Sequence, residues 1–165
     1  MSADRPPAGA ASASGLPEAG ATKRRAGCPL CDATGGRVVV QAPRWRLIHA
    51  QEEAFPAFYR VVWKDHVAEF SQLSRAERHE CMDVVATVEE ALLRHLRPVK
   101  ANVAALGNVV PHLHWHVIAR FDWDSRFPAP VWAPAQREPD AGRLAGVVAL
   151  LPAVENDLVF RLGRA

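Results

Sequence analysis

Short apolar runs punctuated by turn residues open the patterned part of the chain. Arg37–Val40 (RVVV), Trp45–His49 (WRLIH) and Tyr59–Trp63 (YRVVW) have strand length and are rich in β-branched and aromatic residues, with Gly35-Gly36 and Pro43 as turn residues. They predict an antiparallel meander. The period then changes: Ser74-Arg-Ala-Glu77 reads as a capping box, and Met82, Val85, Val88 and Leu92 recur at helical spacing as far as Pro98. That predicts one long helix. A second strand region covers Ala101–Ala105 and Val109–Arg120, broken by Gly107-Asn108, and a weaker helical repeat (Leu144, Val147, Val148, Leu151) starts after Asp140 and runs up to Pro152. Strands, a long helix and further strands predict an α+β domain: an antiparallel sheet of about five strands with one long helix and a second, C-terminal helix.

Composition adds boundaries. Residues 1–26 consist largely of Ala, Gly, Ser and Pro and contain no aromatic, Val or Ile. Such a segment cannot offset its ordering entropy by burial, so a disordered tail is expected before a single domain at 27–165, with its core at about 27–135. The chain's formal charge of +2 resides in that tail, where Arg5, Lys23, Arg24 and Arg25 face Asp4 and Glu18. A neutral domain gives no reason to expect nucleic-acid binding. No apolar run reaches membrane-spanning length, which argues against a membrane partner, and the N-terminus lacks the apolar stretch of a secretory signal. Three cysteines, Cys28, Cys31 and Cys81, do not make a disulfide framework. A cytoplasmic protein is expected.

The chemistry concentrates in His112-Leu-His114-Trp-His116. On a strand, residues two apart share a face, so this alternation predicts three imidazoles on one side and Leu113, Trp115 and Val117 in the core. Aligned imidazoles can ligate a metal, act as acid, base or nucleophile near neutral pH, or form a polar face. One ion ligated by all three would need the strand to bend, because its pitch spreads them over about 13 Å. Arg120 shares their parity and points to a phosphate contact or a surface ion pair. Cys28-Pro-Leu-Cys31 has metal-ligand spacing. His79 and His95 fall on the long helix as solvated residues, and Trp45 and Trp63 read as core or as a base pocket.

The string His112-Leu-His114-Trp-His116-Val-Ile resembles the signature of the histidine triad (HIT) superfamily of nucleotide hydrolases and transferases. Phe58–Phe70, the capped helix, Asn102 to Asn108, Arg120 and Phe127–Trp132 are similar to the bacterial, diadenosine tetraphosphate hydrolase-like branch of that family. The resemblance implies a HIT-like fold and a homodimer. It implies a covalent nucleotidyl-histidine formed by attack on the α-phosphate of a dinucleoside polyphosphate or nucleoside phosphoramidate, without a catalytic metal. By it, His114 is the nucleophile, His116 assists the leaving group and His112 supports the arrangement. Asn108, standing where many relatives have glutamine, and Asn102 are implied substrate contacts. It also implies a possible structural zinc on Cys28, Cys31 and His112. Phe58 occupies the place of the family's other histidine ligand, which leaves His49 as the substitute and gives His66 a structural role at the sheet edge. Two other readings stay open: a metal-dependent hydrolase ligating zinc through the three histidines, and a non-catalytic nucleotide-binding module.

Overall fold

A computed structural model describes residues 22–163. Strands β1 (Arg37–Gln41), β2 (Trp45–His49), β3 (Phe58–Trp63), β4 (Lys100–Ala105) and β5 (His114–Arg120) form one antiparallel sheet in the order β1-β2-β3-β5-β4. Helix α1 (Pro29–Asp32) is a single turn, α2 (Arg75–Leu96) joins β3 to β4, and α3 (Ala141–Leu162) ends the domain. The fold class expected from the pattern is the one observed.

Alternation along the strands decides what each face of the sheet does. Leu47, Tyr59, Val61 and Val117 point to the face covered by α2 and α3, where they join Val85, Val88 and Leu92 of α2 and Val154 and Leu158 of α3. The intervening residues Ile48, Val62, Phe58 and Ile118 lie on the opposite face in two smaller clusters, one with Cys28 and Leu30, the other with Phe55 and Val131. Covering this second face only in patches leaves the space between them open. His114, His116 and Arg60 have the parity of that face.

Helix α2 begins as expected: Ser74 Oγ accepts from Glu77 N–H at 3.3 Å, and the Glu77 carboxylate accepts from Ser74 N–H at 2.7 Å. It ends at Arg97, in the left-handed region, just before Pro98. Helix α3 departs from expectation, because it passes through Pro152 to Leu162. An interior proline costs about 3 kcal/mol. Beyond it, however, Val154, Leu158 and Leu162 extend the buried stripe begun by Val147 and Leu151. Burial of each large side chain contributes about 1.5–3 kcal/mol, so the stripe outweighs the lost hydrogen bond. The core therefore reaches well past residue 135.

Two other boundaries move. Strand β5 starts at His114 instead of Val109, which is 93% exposed. Pro111 has no N–H to give a ladder, His112 N–H bonds Val110 O, and Leu113 N–H turns to Val67 O. At the N-terminus the expected tail lies outside the described residues up to residue 21, whereas its last residues are held on the domain. Lys23 N–H donates to Asp65 Oδ1 at 3.1 Å, and Lys23 O accepts from His66 N–H at 2.7 Å. Among the described residues no helix is long and apolar enough to cross a membrane.

Candidate active site and metal cluster

His114 and His116 project from β5 onto the open face with ring centroids 4.8 Å apart. His114 Nδ1 stands 2.6 Å from the His112 carbonyl oxygen. A carbonyl only accepts, so Nδ1 carries the proton and the lone pair is left on Nε2. Burial lowers the His114 pKa, opposed by that hydrogen bond and reinforced by Arg60, which keeps the ring neutral and nucleophilic at pH 7. His116 is 6% exposed, and both its ring nitrogens are buried without a hydrogen-bond partner among the described residues. Burial first, then His114 and Arg60, push it down to about 3.

These two imidazoles line a cavity of about 560 Å³ with Leu30, Arg60, Asn108, Val109 and Trp132. The volume suits a small-molecule ligand. The Trp132 ring lies 5.5 Å from His116. On the other side of Trp132 a larger cavity, about 700 Å³, lies between α2 and β4, but it is walled mainly by apolar and small residues and holds no histidine. Chemistry therefore favours the smaller one.

Residues expected to gather around phosphate are divided by the structure. Asn108 is exposed at the cavity wall. Arg120 is 2% exposed and directed elsewhere: Nε and Nη2 donate to Asp124 at 2.8 and 3.1 Å, Nη1 to Asn102 Oδ1 at 2.7 Å, and Nη2 also to Ala129 O at 2.9 Å. It is neither the phosphate ligand nor the surface ion pair anticipated, because the 121–133 segment folds over its face. Instead it braces the segment that carries Trp132, and it occupies the carbonyl of Asn102, which borders the larger cavity. Trp45 and Trp63 belong to the core beneath the helices.

The largest departure concerns His112. Because β5 starts after it, its ring does not align with those of His114 and His116. His112 Nε2 lies 2.6 Å from Trp63 O, to which it donates, so Nδ1 presents a lone pair. That atom faces Cys28 Sγ at 3.4 Å, Cys31 Sγ at 3.5 Å and His66 Nδ1 at 3.3 Å, and Cys31 Sγ is 3.5 Å from His66 Nδ1. All four ligand atoms lie within 4.8 Å of one another. Tetrahedral zinc with bonds of about 2.3 Å to sulfur and 2.0–2.1 Å to nitrogen would set S···N edges of about 3.5 Å and N···N edges of about 3.3 Å. The fit is close. The fourth residue of the cluster is thus His66 and not His49, whose Nε2 bonds Pro56 O at 2.6 Å, while Phe58 packs with Ile118. With His112 committed here, the three imidazoles do not converge on one ion, which removes the geometry of the metal-dependent alternative.

Sequence reading missed the places of Arg60, Trp132 and His66. Arg60 could have been found, since its parity in β3 sets it opposite His116 of β5; His66 could not, because its partners lie 35 and 46 residues away.

The fold is shared with known structures. A histidine triad protein from Bradyrhizobium japonicum is 27% identical with a TM-score of 0.59, over 73% of this chain and 90% of that one. A histidine triad protein from Sinorhizobium meliloti is 22% identical with a TM-score of 0.61, over 78% and 91%. A zinc-bound histidine triad family protein from Mycobacterium smegmatis is 19% identical with a TM-score of 0.56, over 80% and 95%. No curated protein matches the chain. The HIT domain family model matches residues 34–123, which span β1 to β5 and include every histidine considered above, so this chain belongs to the HIT domain family.

Proposed function

We propose that this chain is a nucleotide hydrolase or nucleotidyl transferase that cleaves at the α-phosphate of a dinucleoside polyphosphate or nucleoside phosphoramidate. The observation that carries this reading is the Nδ1–H···O hydrogen bond from His114 to the His112 carbonyl, which leaves Nε2 as an unprotonated nucleophile at the cavity. The Nε2 lone pair attacks the α-phosphorus, an Nε2–P bond forms, and the bond to the leaving group breaks with its electron pair going to that group, which as an amine takes a proton from solvent as it departs. Water, or another acceptor in a transfer, then adds at phosphorus and loses a proton, and the N–P electrons return to Nε2. His116, neutral at pH 7, donates an N–H to phosphoryl or leaving-group oxygen, and the Asn108 amide adds a donor at the wall.

Cys28, Cys31, His66 and His112 would hold a structural zinc, since their spacing matches tetrahedral edges; its role is to fix the start of β5, and no catalytic step passes through it. A homodimer is supported by β4, an edge strand bordered by the exposed side chains of Met82, Val99 and Trp132.

The reading is tested with diadenosine tetraphosphate and adenosine 5′-phosphoramidate labelled at the α-phosphate, quenched during turnover. Mass spectrometry should find the nucleotidyl group on His114, and His114→Asn should lower kcat by at least about a thousandfold. Turnover retained by that variant overturns the assignment; binding without turnover by the wild type would instead support a nucleotide-binding module.

A further inference from the structure

Arg60 is a cation that the fold itself leaves underused. It sits in β3 opposite His116 of β5, its side chain 23% exposed on the cavity wall. Its Nε is buried without a partner among the described residues. Among the described residues the one carboxylate it meets is Glu52, itself half exposed, at 3.4 Å. The guanidinium otherwise lies over the Phe58 ring, 5.0 Å from the centroid. A half-buried cation beside two imidazoles, its Nε–H buried and unspent, costs stability unless something anionic completes the site.

The unspent atoms share one location. Arg60 Nε and both ring nitrogens of His116 are the polar atoms bordering this cavity that are buried and unpartnered. An oxyanion between Arg60 and His116 would accept from the Arg60 Nε–H and from the one N–H that a neutral His116 carries, and the planar fork of a guanidinium suits phosphate oxygens. Register adds direction: His114 pairs with Val62, and Arg60 pairs with His116, one step further along the face. Charge held by Arg60 is therefore beside the phosphorus attacked by His114, not on it.

We propose, building on the histidine-transfer reading, that Arg60 binds a second phosphate next to the reacting one and so selects substrates whose leaving group is itself a phosphate chain over those that release a neutral amine. When the α-phosphorus–oxygen bond breaks, its electron pair goes to the departing polyphosphate oxygen, and Arg60 meets the charge that develops there.

The test compares wild type, Arg60→Lys and Arg60→Leu as full-length proteins, with thermal unfolding to verify folding. Each is assayed with diadenosine tetraphosphate and adenosine 5′-phosphoramidate, and the affinities for ADP and AMP are measured by calorimetry. Arg60→Leu should lose about 10- to 100-fold in kcat/KM on the tetraphosphate, at least about tenfold more than on the phosphoramidate, with lysine recovering part of it. It should also erase a preference for ADP over AMP. Equal losses on both substrates, or an ADP preference untouched by Arg60→Leu, overturn the role of Arg60. Absence of a nucleotidyl-His114 species alongside an ADP preference that depends on Arg60 would instead overturn the transfer reading and support the anion site.

Discussion

Acid should expose how the cavity is maintained, and His116→Gln isolates the effect. In the folded protein His116 stays neutral down to about pH 3, because burial first, then His114 and Arg60, disfavour its protonation. In the unfolded chain it titrates near 6.5. The folded pKa is the lower one, so the unfolded state binds the extra proton as pH falls, and stability is lost below about pH 6.5 at about 1.4 kcal/mol per pH unit until the folded group titrates. Between pH 7 and 5 this one residue should withdraw about 2 kcal/mol. Urea unfolding followed by circular dichroism at the two pH values measures it, and the wild type should fall by about 2 kcal/mol more than His116→Gln. Neighbouring groups do not confuse the comparison. His114 is depressed by burial and Arg60, not by His116, so its share cancels. Glu77 and Asp124 are both held below their ordinary carboxylate values, the first chiefly by Ser74, the second against its burial by Arg120 and nearby N–H groups, and they act at lower pH. Equal losses in the two proteins would refute the claim that the cavity holds a neutral, desolvated imidazole.

The Cys28, Cys31, His66 and His112 cluster and the long C-terminal helix offer independent checks. Purified wild type should contain about one zinc per chain by elemental analysis, and free zinc at a hundredfold above its Kd should stabilise the fold by about 2.7 kcal/mol; Cys31→Ser should lose both the metal and that increment. A melting temperature in the wild type that does not respond to chelation would contradict a structural ion. Pro152→Ala restores an N–H at an exposed interior position of α3 and should raise stability by about 1–3 kcal/mol in denaturant titration. No gain would mean that the helix is already adapted to the kink.

What the chain reveals in advance is whatever depends on near neighbours. The capping box at Ser74–Glu77, the stop at Pro98 and the core side taken by Leu113, Trp115 and Val117 follow from local spacing, and together they specify sheet and long helix. Readings failed where a distant contact outweighed a local rule. Pro152 looks like a terminus until the stripe of Val154, Leu158 and Leu162 is seen packed in the core. Arg120 has the parity of the histidines, yet Asp124 four residues on and Asn102 on β4 capture its donors. Parity says which face a side chain leaves from; only the tertiary cover says what it meets.

His112 carries this furthest. By spacing alone it is indistinguishable from His114 and His116, and only the family resemblance sets it with Cys28 and Cys31. The structure divides it into two parts with separate tasks: its ring turns to Cys28, Cys31 and His66, and its carbonyl accepts the proton-bearing Nδ1 of His114. The cluster and the His114 ring are therefore joined through one peptide unit, with no second histidine ring between them. A shift of the cluster by a few tenths of an ångström would move that carbonyl and weaken the hydrogen bond that selects the reactive tautomer of His114. A metal bound by the cluster would for this reason act on the tautomer of His114 without touching its ring. The spacing of the three histidines then reflects geometry more than shared chemistry: a single residue, Leu113, separates the ring that joins the cluster from the ring at the cavity, because the carbonyl of the first residue must serve the second ring.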